Sequence, residues 1–199
     1  IQALRPSEVD SLHNDSAWVD FTNYCLLQAS QNFDTITYWL TDSMAISMDS
    51  IYMQMQYLVT DSLYNLIPQT DTVLAVYRRP RMSDKAREAI ERKKRERKLE
   101  LRTNASASFD IFDTIHITSA FPIAEIHDSL FHLSHKVDTL LHPMSFEIMR
   151  SDSLAMMLYI ISNLQPEETY MLKIDSAACI DIYGASNDSI QKNIKLKSK

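Results

Sequence analysis

An Asp followed by Ser or Thr recurs just ahead of short apolar runs, at Asp34-Thr35, Asp49-Ser50, Asp71-Thr72, Asp113-Thr114, Asp152-Ser153 and Asp175-Ser176. Both side-chain types bond backbone groups two residues on, which ends one element and launches the next. Between these marks, side chains alternate. Ile36, Tyr38 and Leu40 share one face while Thr35, Thr37 and Trp39 share the other, and Ile51, Met53, Met55 and Tyr57 oppose Tyr52, Gln54 and Gln56. A period of two predicts half-buried strands. Strands are expected over 35–40, 51–58, 72–77, 112–118, 129–134, 145–149, 155–161, 170–174 and 194–196, at the spacing of an all-β sandwich. Residues 16–29 read as short strands or one short helix. No long amphipathic helix alternates with the strands, which argues against a parallel α/β sheet.

Glycine occurs once, at Gly184. The turns are therefore expected on Asx residues that tolerate left-handed backbone, among them Asn32, Asn65, Asn104, Asn163 and Asn187.

The 199 residues suffice for two modest domains, and charge divides them. From 78 to 102 there are twelve Lys/Arg against five Asp/Glu, a balance of +7, while the whole chain carries −6. Such blocks are usually solvated, so a boundary is expected there: domains over 1–80 and 103–199, joined by a basic helical linker over 81–102. Ser83 is available as its N-cap. Clustered cations also suit phosphate or anionic lipid. The block lacks aromatics for base stacking and interleaves Glu at helical spacing, so a solvated helix is preferred over nucleic-acid binding.

His127, His132, His135 and His142 lie near Asp128 and Asp138. His132 and His135 are the candidates for a metal pair. Residues three apart on a strand face opposite ways, so a solvent-facing strand is preferred and no cofactor is expected. The nucleophile elbow and the glycines of an oxyanion loop are missing, and the carboxylates are too scattered for a calcium loop. The fold is thus expected to be non-enzymatic. Trp18, Trp39 and Tyr52 are the candidates for stacking on a sugar ring, against the plainer reading that they pack the sheets. Methionines such as Met53 and Met55 read as core filler, and Cys25 and Cys179 as small buried hydrophobes.

Leu164-Gln-Pro166 followed by Tyr170 at the start of a strand resembles the tyrosine corner of immunoglobulin-like and fibronectin type III sandwiches. Leu66-Ile-Pro68 echoes it weakly, with Thr72 where Tyr would stand. The run from Ile174-Asp-Ser-Ala-Ala through Tyr183-Gly184 to Asn187-Asp188 is similar to the closing strands of an Ig-like domain in predicted Bacteroidales lipoproteins. Phe33 to Ser43, Met55 to Ser62 and Pro68 to Thr72 are similar to the companion domain of those proteins. The resemblance implies two Ig-like sandwiches of a larger lipid-anchored protein at the outer-membrane surface or in the periplasm. No partner is fixed by the sequence; at such an address envelope proteins or glycans are the candidates, the latter through the aromatic residues named above. Membrane contact would come only through a lipid anchor upstream of Ile1, and the first domain would begin part-way through the family pattern. Leu164, Pro166, Tyr170 and Gly184 are the structural residues it points to.

Overall fold

The computed structural model describes residues 2–4, 18–20, 23–30, 32, 35–77 and 83–197. The described chain is predominantly antiparallel β-sheet and separates into two compact units, Ile1–Ser83 and Asp84–Lys199.

In unit 1, strands β1 (Gln2–Leu4), β2 (Trp18–Asp20), β5 (Ser50–Thr60) and β6 (Leu66–Val76) form one sheet in the order β2-β1-β5-β6. Strands β3 (Cys25–Ala29) and β4 (Ile36–Leu40) form a separate hairpin. Within the stretch 16–29, Trp18–Asp20 and Cys25–Ala29 are strands, and residues 23 and 24 form a turn between them. Tyr38, Leu40, Ile51 and Met53 pack around buried Cys25, so the inward faces are those the alternation marks out. Helix α1 (Ser43–Ser47) follows Asp42, whose Oδ1 accepts the Ala45 N–H at 2.9 Å as an N-cap does. Strands β5 and β6 pair without interruption from Ser50–Val76 to Thr60–Leu66.

Unit 2 contains two four-stranded sheets. One orders β12 (Glu147–Arg150), β13 (Met157–Ile161), β8 (Ile115–Ser119) and β7 (Leu101–Thr103); the other orders β11 (Leu140–Pro143), β10 (Phe131–Val137), β14 (Thr169–Ile174) and β16 (Ile190–Lys195). A ribbon of β9 (Ile123–Ile126) and β15 (Cys179–Asp181) accompanies them. Every second residue of β8 and β14 is buried, and Ile115, Ile117, Leu158 and Ile160 from one sheet join Phe131, Leu133, Leu172, Ile174 and Ile194 from the other in one apolar cluster. Burying side chains of this size stabilises by about 1.5–3 kcal/mol each. This shared core holds the two sheets together.

The basic block divides. Helix α2 (Asp84–Arg95) is as expected of its Ala/Arg/Lys/Glu composition. Residues 97–102, expected in the linker, are instead built into unit 2. Leu99 and Leu101, two apart, are both buried in its core, Leu99 bridges to Asn187, and β7 pairs with β8. Two apolar residues at strand spacing outweigh the charges around them once a core is there to receive them.

The Asp marks are honoured unevenly. Asp152 Oδ1 accepts from Leu154 and Ala155 N–H groups, each at 2.9 Å; Asp61, which is not among the marks named, does the same for Leu63 and Asn65 at 2.8 Å. Asp71-Thr72 lies inside β6 and marks no turn; its carboxylate accepts from the Tyr57 hydroxyl across the ladder. Asp34 lies outside the described residues. Among the described residues, the left-handed positions besides Gly184 are Asp138, an Asx residue as expected, and Tyr64, Ala155, Glu167 and Ala177, which depart from that expectation. A left-handed L-residue costs roughly 1–2 kcal/mol, and the Asp61 and Asp152 acceptors beside Tyr64 and Ala155 offset part of that.

Candidate functional site

The residues singled out in the second half converge on two framework knots. At the first, Tyr170 is buried at the start of β14, and its hydroxyl accepts the Gln165 N–H at 2.8 Å. Leu164 packs on the core from the same connection. Pro166 has no N–H to satisfy, and Glu167 carries the left-handed φ of 64° that turns the chain into β14.

At the second knot, the Asp181 side chain is fully buried. Its Oδ1 accepts Tyr183 and Ala185 N–H groups, each at 2.9 Å. Arg97 Nη2 lies 3.0 Å from Oδ1 and 2.8 Å from Oδ2. The guanidinium is stacked 4.7 Å from the Phe121 ring centre and 5.6 Å from that of Tyr183. Burial, then the Asp181 charge, pushes the Tyr183 phenol above its ordinary value, with Arg97 opposing. Gly184 sits in this loop at φ +81°. Beside it, buried Asn187 accepts the Cys179 N–H at 2.8 Å and donates to the Asp175 and Asp188 carbonyls at 2.9 and 2.8 Å. Residues 175–188 are therefore a clamp of side chain on backbone. Arg97 and Asp181 were not legible as partners, because 84 residues separate them.

His132 and His135 are placed apart. His132 pairs in register with Lys173 and is 2.9 Å from Asp175; His135 pairs with Tyr170, lies 5.1 Å from its ring and 2.8 Å from Glu168. Each imidazole therefore serves its own carboxylate, and no group of three His, Cys, Asp or Glu side chains among the described residues is arranged to hold a metal. Lys173 first, then His132, holds the Asp175 carboxyl below its ordinary range.

The aromatic candidates are divided between sheets. Trp39 is on β4, where its Nε1 donates to Gln28 Oε1 at 3.0 Å; Trp18 and Tyr52 are on β2 and β5. Alternation turns Trp39 and Tyr52 away from the Cys25 cluster, each on the outer face of its own layer. One stacking platform is not formed by this pair.

Both cysteines are buried and unbridged. Burial first, with the Asp128 charge second, pushes the Cys179 thiol up to about 12. A thiol of that kind is an inert core side chain. Among the described residues no helix is long and apolar enough to cross a membrane. No family model matches the chain, and no curated protein matches it.

Proposed function

We propose that this chain is a non-enzymatic structural or ligand-presenting module of the cell envelope, built from two immunoglobulin-like sandwiches joined by the basic helix and carried on a larger lipid-anchored protein. The strand order of unit 2 supports the sandwich reading: β12-β13-β8-β7 follows the order D-E-B-A, and β11-β10-β14-β16 follows C′-C-F-G. The observation that carries it is the Tyr170 hydroxyl bonded to the Gln165 backbone at the entry to the F-like strand. For unit 1 the support is the β3–β4 hairpin packed on β5 through Cys25.

A scaffolding role is supported by what the buried polar groups do. Asp181 and Ser119 bond backbone of their own loops, and Asn187 bonds backbone on both sides of β15. The envelope address rests on the resemblance of residues 174–188 to lipoprotein domains.

Cell fractionation with an antibody against residues 84–199 tests the address: recovery in the membrane or periplasmic fraction is expected, and recovery in the cytosol refutes it. Turnover on a broad substrate panel that vanishes on one side-chain substitution would refute the non-enzymatic role.

A further inference from the structure

Thirteen of the seventeen Asp residues are followed by Ser or Thr, and the residue after that pair is apolar every time; Asp20, Asp84, Asp110 and Asp181 are the exceptions. Ser and Thr make up 34 of the 199 residues, so a random order would give about three such pairs. Turn chemistry favours Asp, Asn, Ser and Thr singly and does not require this order of three.

The structure gives the tripeptide no single role in the fold. Ser43 begins α1, Ser129 lies in the 3₁₀ turn Asp128–Leu130, Thr72 is inside β6, and Ser62 is in the turn between β5 and β6. The carboxylates are as various. Asp42 caps a helix, Asp71 meets Tyr57 and Asp188 meets Lys98, while the Asp128 and Asp138 side chains make no hydrogen bond or ion pair among the described residues. Eleven of the thirteen hydroxyls belong to described residues, and these share one property. Ten are exposed, Ser50 is half-buried, and none makes a hydrogen bond among the described residues. By contrast, the hydroxyls of Ser30, Thr103, Thr118, Ser119 and Ser162 all make one, and eight of the other eighteen described Ser and Thr residues are at least partly buried. A hydroxyl in a fixed three-residue context, at the surface and unused by the fold, is open to a modifying enzyme.

We propose that these Ser and Thr residues are O-glycosylation sites, each recognised through the carboxylate that precedes it and the apolar side chain that follows it. The donor is a phosphate-activated sugar brought by a separate glycosyltransferase. The Ser or Thr Oγ attacks the anomeric carbon, the bond from that carbon to the phosphate oxygen breaks, the phosphate leaves with the electron pair, and the hydroxyl proton passes to a base on the transferase. Charge selects a sugar over a phosphoryl group. Each phosphoryl group would add about −1.5 to −2 beside an existing carboxylate, on a chain already at −6; a neutral sugar adds nothing. Glycans are bulky and solubilising and need open surface, which the ten exposed hydroxyls provide. Leu63, Val73 and Leu140, each the apolar member of its tripeptide, are 76 %, 38 % and 64 % exposed, and a glycan on the adjacent hydroxyl shields them. Ile115 and Leu154 are buried, so around Thr114 and Ser153 the whole tripeptide is open to the transferase only before unit 2 folds. The sites are independent of the envelope reading.

Intact mass spectrometry compares the full chain isolated from its native cells with the same chain made by cell-free translation. The native chain is expected to be heavier by multiples of one glycan mass, to lose that excess on reductive β-elimination, and to carry it on Ser and Thr of the tripeptides by electron-transfer fragmentation. Asp128→Asn and Asp138→Asn, expressed in the native cells, lose no side-chain hydrogen bond, and Asn tolerates the left-handed backbone at 138. They should lower occupancy at Ser129 and Thr139 respectively by roughly tenfold or more and leave the other sites unchanged. Equal masses from the two sources overturn the proposal. So do phosphate-sized increments, sugars carried mainly on Ser and Thr outside the tripeptides, or full occupancy of Ser129 and Thr139 in the two variants. A glycosylated chain recovered from the cytosol would refute the envelope address and leave the sites standing.

Discussion

Replacing Arg97 with Ala is expected to destabilise unit 2 by about 3.5–4 kcal/mol, although residue 97 lies in a block that reads as solvated linker. The magnitude follows from its partner. Asp181 Oδ1 retains two backbone donors when the guanidinium is removed, but Oδ2 keeps no hydrogen-bond donor and is buried. Stranding one member of a buried ion pair costs about 3–5 kcal/mol. Arg97 is 28 % exposed, so water follows into part of the space and the low end applies. Loss of stacking on Phe121 and Tyr183 adds about 0.5–1 kcal/mol. Arg97→Ala/Asp181→Asn should recover roughly 2 kcal/mol over Arg97→Ala alone, because a neutral amide needs no counter-ion while its oxygen still accepts the loop N–H groups. Both tryptophans, Trp18 and Trp39, are in unit 1, so indole fluorescence does not follow this transition. Hydrogen exchange of the amides from 179 to 195 does. Unchanged protection in Arg97→Ala, or a double variant no more stable than the single one, would refute the reasoning.

Tyr170→Phe keeps the buried ring and deletes only the acceptor of the Gln165 N–H, so a loss of about 1–1.5 kcal/mol is expected, against about 3–5 kcal/mol for Tyr170→Ala. A Tyr170→Phe variant as stable as the parent by calorimetry would show that the hydroxyl bond contributes nothing. Cys179, its thiol pushed up to about 12, should resist iodoacetamide at neutral pH until unit 2 unfolds; labelling of the native protein at the rate of a free thiol would contradict this. Asp175 has a depressed carboxyl, so its contribution is present above the unfolded value and disappears as the pH falls below about 4. The urea midpoint should therefore drop on acidification, and less steeply in Lys173→Met; identical slopes would dismiss the Lys173 contact as the cause.

The sequence by itself determined where side chains take turns between core and water, and hence most of the strands. Alternation at Ile115, Ile117, Leu158, Ile160, Leu172 and Ile174 is a local property of extended backbone, readable without knowing any partner. The bond between the Tyr170 hydroxyl and the Gln165 N–H was legible for the same reason, since the two residues are five apart. Short strands such as β9 and β15 were not, because a run of three or four residues is too brief for a period to register and exists only through its neighbour's hydrogen bonds. Tertiary structure alone decided that Leu99 and Leu101 leave the basic block for a core, and that Arg97 meets Asp181. It likewise decided that β6 lies at the end of its sheet among the described residues. Each depends on which distant strand lies alongside, and the free energy that selects that neighbour comes from burial and pairing shared across the whole unit.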